Sequence, residues 1–382
     1  MLRAVVLVAP GTDPLRRVAG LDLLRRCLLT VRSWGAGDVV VMAPGDILPL
    51  RREADLLFVS ASTVYDRRTG AALGDPPLGG ACRAGGAVRV HASAARQLDL
   101  AGLTEPAEVV AQLCRLGVAV EERPAEGLLH QPVRDDAEAR LATHRLFESC
   151  RKPIDGIVSR NINRNVSLWL SRRLVATPVH PNHVSALCIV LGAAAALLVL
   201  GGSYGWVLAA AAVFQLDSIL DGVDGELARV RWQQSRLGEL LDSAGDNFSN
   251  FAYFSALLWV AVHGGHALLA ALGAAGLGLW AIYLVFLYTR LYGTGRGDVM
   301  LVTEPVSGSR LSGLVRLGRT LLRRDSFVML ALLLAVAGHP FWMLPVILLG
   351  GASVFGYAAS QCSRALVGRF ATRLGPDSRA VS

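Results

Sequence analysis

The chain has 382 residues, of which 53% are hydrophobic and only 18% charged, with a formal net charge of +8. Soluble domains carry about 25% charge, so this composition excludes an ordinary water-soluble protein and a disordered one. It points to a membrane protein with a soluble part attached. Lys152 is the single lysine, so arginine supplies the positive charge. A basic membrane protein of this kind faces anionic head groups or phosphorylated substrates rather than nucleic acid.

Residues 1–150 carry frequent charges and read as a soluble domain. The short apolar run Leu2–Gly11 stops at once, so no leader peptide is expected there. Ala4–Ala9 reads as a strand, Leu21–Trp34 as a helix, and Asp38–Met42 and Leu56–Ser60 as further strands. Alternating strand and helix predict an α/β sheet with parallel strands. The six cysteines are scattered without a CxxC pair and read as reduced, ordinary residues. Residues 151–180 form a linker with an amphipathic helix. Ile162, Val166, Trp169, Leu170 and Leu174 share one helical face, with Arg160, Arg164, Arg172 and Arg173 elsewhere, as in a helix lying on a membrane surface.

Residues 181–370 read as six transmembrane helices, and 371–382 as a cytoplasmic tail. Val184–Leu216, Asn247–Thr289 and Ser326–Ser363 contain no Asp, Glu, Lys or Arg. Each is too long for one span of ~20 residues and has a turn signal near its middle: Gly201-Gly202-Ser203, Gly264-Gly265 and Gly338-His339-Pro340. The hairpin tips lack Lys and Arg, whereas Arg172, Arg173, Arg229, Arg231, Arg236, Arg290, Arg324 and Arg364 lie on the other side. The positive-inside rule then places both termini in the cytoplasm, in a cell (inner) membrane.

One segment, Asp217–Asn247, concentrates the chemistry. Asp221 and Asp224 are three residues apart and Asp242 and Asp246 four apart, so on helices each pair shares a face. Carboxylates at the ends of apolar spans are costly and indicate a functional site. Four together repel unless cations neutralise them, and hard oxygen donors suit Mg²⁺ or Mn²⁺. Gly222, Gly225, Ala228 and Gly238 leave the helices thin there, so a pyrophosphate could approach the backbone; glycine also serves bare helix–helix contacts.

The pattern Asp221-x-x-Asp224-Gly225-x-x-Ala228-Arg229, eight residues, Gly238-x-x-x-Asp242-x-x-x-Asp246 resembles the complete signature of the CDP-alcohol phosphotransferases. That resemblance covers roughly residues 150–370. It implies six membrane helices after an interfacial helix, and transfer of a phosphoryl-alcohol group from a CDP-alcohol to a hydroxyl with release of CMP. It implies two divalent ions on Asp221, Asp224, Asp242 and Asp246, with Asp246 also taking the proton of the attacking hydroxyl. Gly225 and Ala228 would lie against the cytidine diphosphate, with Asn182, Ser185, Arg229 and Gly238 completing that site. A homodimer is expected on the same basis.

Lys152-Pro153-x-Asp155-Gly156, Ser159-Arg160-x-x-Asn163-Arg164, Thr177-Pro178-x-x-Pro181-Asn182 and Arg324-Asp325 resemble the bifunctional inositol-phosphate cytidylyltransferase/di-myo-inositol-phosphate-phosphate synthase group. Asp217 is an extra acid, expected to face water or pair with an arginine rather than to bind metal. Arg319, Arg323 and Arg324 could clamp an acceptor phosphate, since guanidinium matches phosphate geometry; the positive-inside rule alone also accounts for them. Residues 4–42 resemble the start of a sugar-nucleotidyltransferase, a Rossmann-like α/β domain. The loop Pro10–Pro14 is short, no lysine precedes Lys152, and Ala61-Ser62 stand where a metal-binding acid is expected. The domain is therefore read as degenerate, with Asp55 and Asp66 as solvated loop residues.

Two substrate readings follow: a CDP-inositol-type donor with inositol phosphate as acceptor, or phospholipid synthesis from CDP-diacylglycerol. A non-catalytic scaffold or transporter is the rival of another class, since intramembrane acids also serve ion coupling.

Overall fold

A computed structural model describes residues 2–46, 54–151, 155–294, 323–356 and 359, with side chains placed up to residue 289 and again from 323. Lys152, Pro153, Arg319 and the 371–382 tail lie outside the described residues. The chain divides into two compact units.

The first unit comprises Met1–Lys152 with Ser171–Pro178 and Glu226–Gln233. Its elements begin with β1 (Leu2–Leu7), β2 (Arg17–Val18), β3 (Leu21–Asp22), α1 (Leu23–Ser33), β4 (Asp38–Met42), β5 (Asp55–Ser60) and β6 (Thr63–Tyr65). They continue with α2 (Thr69–Leu73), β7 (Ala81–Ala84), β8 (Ala87–Val90), α3 (Ala92–Ala95), α4 (Pro106–Arg115), β9 (Val120–Glu122), β10 (His130–Pro132) and α5 (Asp136–Glu148). The main sheet has the order β4-β1-β5-β8-β7-β9. As the sequence predicts, β1 runs parallel to β4 and β5. The later half differs: β8 is antiparallel to both β5 and β7, because the two-residue turn Gly85-Gly86 joins β7 to β8 as a hairpin.

Strand periodicity sorts the core. Val5, Leu7, Leu56 and Phe58 face Leu98, Val109 and Leu113. Ala4, Val6, Leu57 and Val59 face Cys27, Val31 and Tyr65 on the other side. Both faces are covered, so the strands read as continuous apolar runs. In Pro10–Pro14 the Thr12 hydroxyl donates to the Ala9 carbonyl at 2.6 Å and the Leu15 N–H to Asp13 at 3.0 Å, so the loop's polar groups close on the loop itself. Asp55 and Asp66 are not the solvated loop residues expected. Asp55 lies on β5 and takes Arg89 at 3.0 Å. Asp66 is buried; desolvation raises its pKa, but hydrogen bonds from the Arg68 side chain and from the Arg68 and Leu129 backbone outweigh it and leave the carboxyl below its usual range. Neither position carries a sequence signal of its partner, which lies on another strand or in a turn.

Within the first unit, arginines satisfy the end of a long helix whose last residue is Val230. Buried Arg26 donates to the carbonyls of Val230 at 2.8 Å, Val18 at 2.7 Å and Ala19 at 3.3 Å. Burial, with repulsion from Arg67, lowers the Arg26 pKa to about 9, which leaves it charged at neutral pH. Arg67 donates to the Arg229 carbonyl at 2.6 Å and lies 3.6 Å from the centre of the Trp232 ring. Cations here meet orphan carbonyls at the negative end of the helix dipole.

The second unit comprises Pro153–Leu170, Val179–Gly225 and Gln234–Ser382. It opens with a π-helical turn, Ser159–Asn163, leading into α6 (Arg164–Leu174). Ile162, Val166 and Trp169 are exposed, while Asn163, Ser167 and Leu168 are buried, so the apolar stripe read from the sequence faces outward. Then come α7 (Pro181–Val199), α8 (Tyr204–Val230), α9 (Arg236–His263), α10 (Ala267–Thr294), α11 (Arg324–Val336) and α12 (Pro340–Gly356). The breaks α7/α8, α9/α10 and α11/α12 fall at the three predicted tips. Among the described residues three helical segments are long and apolar enough to cross a membrane: Pro181–Val199, Tyr204–Val230 and Ala267–Thr289.

The core of this unit is aromatic. Phe214 stacks on Tyr253 with centroids 4.3 Å apart and meets Phe254 edge-on at 5.9 Å. Leu197, Trp259, Ile282, Val285 and Leu333 point outward, the inverse of a water-soluble bundle and suited to lipid. Helices α7 and α9 approach closely: a Cβ at Gly192 would stand 1.9 Å from the Ser249 hydroxyl.

Replacing Arg26 by Ala is expected to lower stability by about 2–3 kcal/mol, since three carbonyls lose a charged donor and stay buried, a cost only partly offset by recovering the burial cost of the charge. Thermal unfolding of the detergent-solubilised protein reads this as a fall in midpoint.

Candidate functional site

Helices α8 and α9 supply the acids. The turn between them is fixed locally. Trp232 takes a left-handed conformation with φ 57°, which ends α8. Arg231 donates to the carbonyls of Leu174 at 2.6 Å, Thr177 at 2.8 Å and Val175 at 3.2 Å. Ser235 then caps α9, its hydroxyl accepting the Gly238 N–H at 3.0 Å.

Three of the four signature aspartates converge. Carboxylate oxygens of Asp221, Asp242 and Asp246 lie within 4.8 Å of one another. Asp242 is exposed and the other two are half-buried, so the cluster opens to solvent on one side. Three hard oxygen donors at this spacing fit a divalent cation such as Mg²⁺ or Mn²⁺. Asp224 is turned away toward α7, where it is buried and accepts the Ser185 hydroxyl.

Gly225 and Ala228 are half-buried on α8. A Cβ at Gly238 would stand 3.3 Å from the Asn182 side-chain oxygen, so Asn182 at the start of α7 adjoins the first turn of α9. Arg229 gives its carbonyl to Arg67. Of the arginines read as an acceptor clamp, Arg323 is exposed before α11, Arg319 is outside the described residues, and Arg324 turns into the aspartates. Its guanidinium lies 2.8 Å from Asp217 and 3.0 Å from Asp221, and also contacts Asp246.

Asp217 is fully buried and pairs with Arg324, the arginine alternative expected from the sequence rather than the solvent one. What sequence reasoning missed is the convergence of Asp217, Asp221 and Asp246 on one guanidinium. The signal was present in part, because Asp217 stands one turn before Asp221 on the same helical face.

The motif residues 155–164 brace this arrangement. Asp325, beside Arg324, accepts the Ser159 N–H at 2.8 Å, and a Cβ at Gly156 would meet the Asp325 carboxylate at 2.4 Å. Asp155 pairs with Arg164 at 3.1 Å, both buried to about the same degree. Asn163 accepts from Gln215 at 3.0 Å and donates to Ser218 at 3.3 Å, the two polar residues flanking Asp217 on α8. Replacing Arg164 by Met removes the guanidinium facing Asp155 in a poorly hydrated site. A loss of about 3 kcal/mol is expected, most of it regained in the Asp155→Asn/Arg164→Met pair, with unfolding midpoints of single and double variants as the readout.

Residues 178–358 match the CDP-alcohol phosphatidyltransferase family. Proteins named "bifunctional IPC transferase and DIPP synthase" are similar to the chain. The one from Archaeoglobus fulgidus is 32% identical over 151 residues, 39% of this chain and 29% of that protein. The one from Thermococcus kodakarensis is 37% identical over 139 residues, 36% of this chain and 31% of that protein. The one from Rubrobacter xylanophilus is 38% identical over 160 residues, 42% of this chain and 33% of that protein. The matches thus span about a third or less of the length of these relatives.

Proposed function

We propose, from the match of residues 178–358 to the CDP-alcohol phosphatidyltransferase family, that the protein is a membrane CDP-alcohol phosphotransferase. It transfers the phosphoryl-alcohol group of a CDP-alcohol to an acceptor hydroxyl, with an inositol phosphate as the acceptor class, and releases CMP. The observation that carries this is the convergence of Asp221, Asp242 and Asp246 from α8 and α9.

Asp221, Asp224, Asp242 and Asp246 would hold two divalent ions, Mg²⁺ or Mn²⁺. When bound, such ions neutralise the pyrophosphate and the charge developing on the attacking and leaving oxygens. Asp246 accepts the proton of the attacking hydroxyl at a carboxylate oxygen. The new bond joins that hydroxyl oxygen to the alcohol-bearing phosphorus. The bond broken is the phosphoanhydride, whose electron pair leaves with CMP. Asn182, Ser185, Gly225, Ala228, Arg229 and Gly238 line the cytidine diphosphate, and Arg323 and Arg319 are candidates for the acceptor phosphate. Helices α7–α12 form six spans in three hairpins, with the arginine-bearing side and both termini cytoplasmic; homodimerisation follows the family resemblance.

The acceptor class rests on the inositol-related motifs, including Asp155, Asn163 and Arg164, of which Asn163 bonds Gln215 and Ser218 on α8. A second reading, with CDP-diacylglycerol as donor, is favoured by the soluble domain. Its Pro10–Pro14 loop spends its polar groups internally, and no lysine is available for a triphosphate. Such a domain would not make its own CDP-inositol; its role is structural.

The test is CMP release by purified protein with Mg²⁺, comparing CDP-inositol with CDP-diacylglycerol, each with inositol 1-phosphate. Release with one donor, reduced about 10²–10⁴-fold by Asp246→Asn, is expected and identifies the donor class. Release that Asp246→Asn leaves intact contradicts the reading.

A further inference from the structure

The two halves of the Arg324 guanidinium are held differently. Nη2 donates a directional hydrogen bond to Asp217 at 2.8 Å. Nη1 lies 3.0 Å from Asp221 and in contact with Asp246. One arm is therefore held by Asp217 outside the cluster, and the other stands among the cluster's own carboxylates. The anchor is buried: Asp217 is 0% exposed, and the Arg324 side chain 15%. A buried aspartate with no place in the aspartate cluster, paired to an arginine that reaches two of the cluster's three members, needs a reason.

We propose that Asp217 is a positioning residue that parks Arg324 in the aspartate centre as a built-in cation, and that the first divalent ion binds by displacing Nη1 from Asp221 and Asp246 while Nη2 stays on Asp217. The inference rests on the metal-centre reading above and deepens it. Crowded carboxylates repel one another, and the guanidinium offsets that repulsion before metal arrives. A divalent ion carries twice the charge of the guanidinium and takes the same carboxylate oxygens as ligands, so it displaces Nη1 from them. Asp217 keeps the displaced arginine beside the site and shares its charge. Without Asp217 the whole guanidinium charge would bear on Asp221 and Asp246 and compete harder with metal.

Mn²⁺ binding to the full-length protein in detergent, without substrate, tests this through loss of the free-ion paramagnetic resonance signal. Arg324→Gln is expected to tighten Mn²⁺ binding about 10-fold, a shift of about 1.4 kcal/mol. Asp217→Asn is expected to weaken it by a similar factor in the native background and to have little effect in the Arg324→Gln background. Arg324→Lys, whose single ammonium cannot hold Asp217 and the cluster at once, should fall between native and Gln. It serves as the decisive variant if Arg324→Gln fails to fold. Unchanged or weaker binding in the position-324 variants overturns the proposal. So does an Asp217→Asn effect equal in both backgrounds, which would be through-space charge alone. Absence of Mn²⁺ binding to the native protein would instead overturn the metal-centre reading.

Discussion

Carboxylate repulsion is the constraint on which the second unit is built. Asp221, Asp242 and Asp246 bring their oxygens within 4.8 Å of one another at the ends of helices that are otherwise apolar. Negative charges this close at the end of apolar helices are tolerated only beside a countercharge. Arg324 supplies one in the structure, and divalent ions are the chemical partners such donors suit. Everything adjacent holds the acids and that arginine in place.

The bracing is distributed. Asp217 anchors Arg324 from α8. Asp325, the next residue, holds the Ser159 N–H, so one dipeptide at the start of α11 contacts both the aspartates and the π-helical turn. Asn163 joins that turn to Gln215 and Ser218 on either side of Asp217. Glycines at 192, 238 and 245 let α7 and α9 approach, which puts Asn182 and Ser185 next to the acids. In the first unit, Arg26, Arg67 and Arg231 satisfy carbonyls at helix ends, including the last residues of α8. Guanidinium groups thus take up the carbonyls left open where this helix ends.

Much of this was legible in the sequence, for physical reasons. Hairpin tips at Gly201–Ser203, Gly264-Gly265 and Gly338–Pro340 were visible because long charge-free stretches must be interrupted where they turn. Strands β1, β4 and β5 were visible because strands covered on both faces leave continuous apolar runs. The aspartate pairs were visible because their spacing places them on single helical faces. The antiparallel half of the sheet was not, since short strands such as β7 and β8 lack a long apolar run. Partners distant in sequence were not visible either: Asp66 and Leu129, Asp55 and Arg89, and above all Arg324 and Asp217, which lie 107 residues apart. Spacing rules report what shares a helix and say little about which helix lies opposite.

The central claim is that the acids of α8 and α9 form one divalent-ion centre. Anomalous X-ray scattering from crystals of the full-length protein grown with Mn²⁺ tests it most directly. The account predicts anomalous peaks among Asp221, Asp242 and Asp246, with Nη1 of Arg324 withdrawn from Asp221 and Asp246. Crystals holding no Mn²⁺ there, or holding it only at other acidic residues, would contradict it.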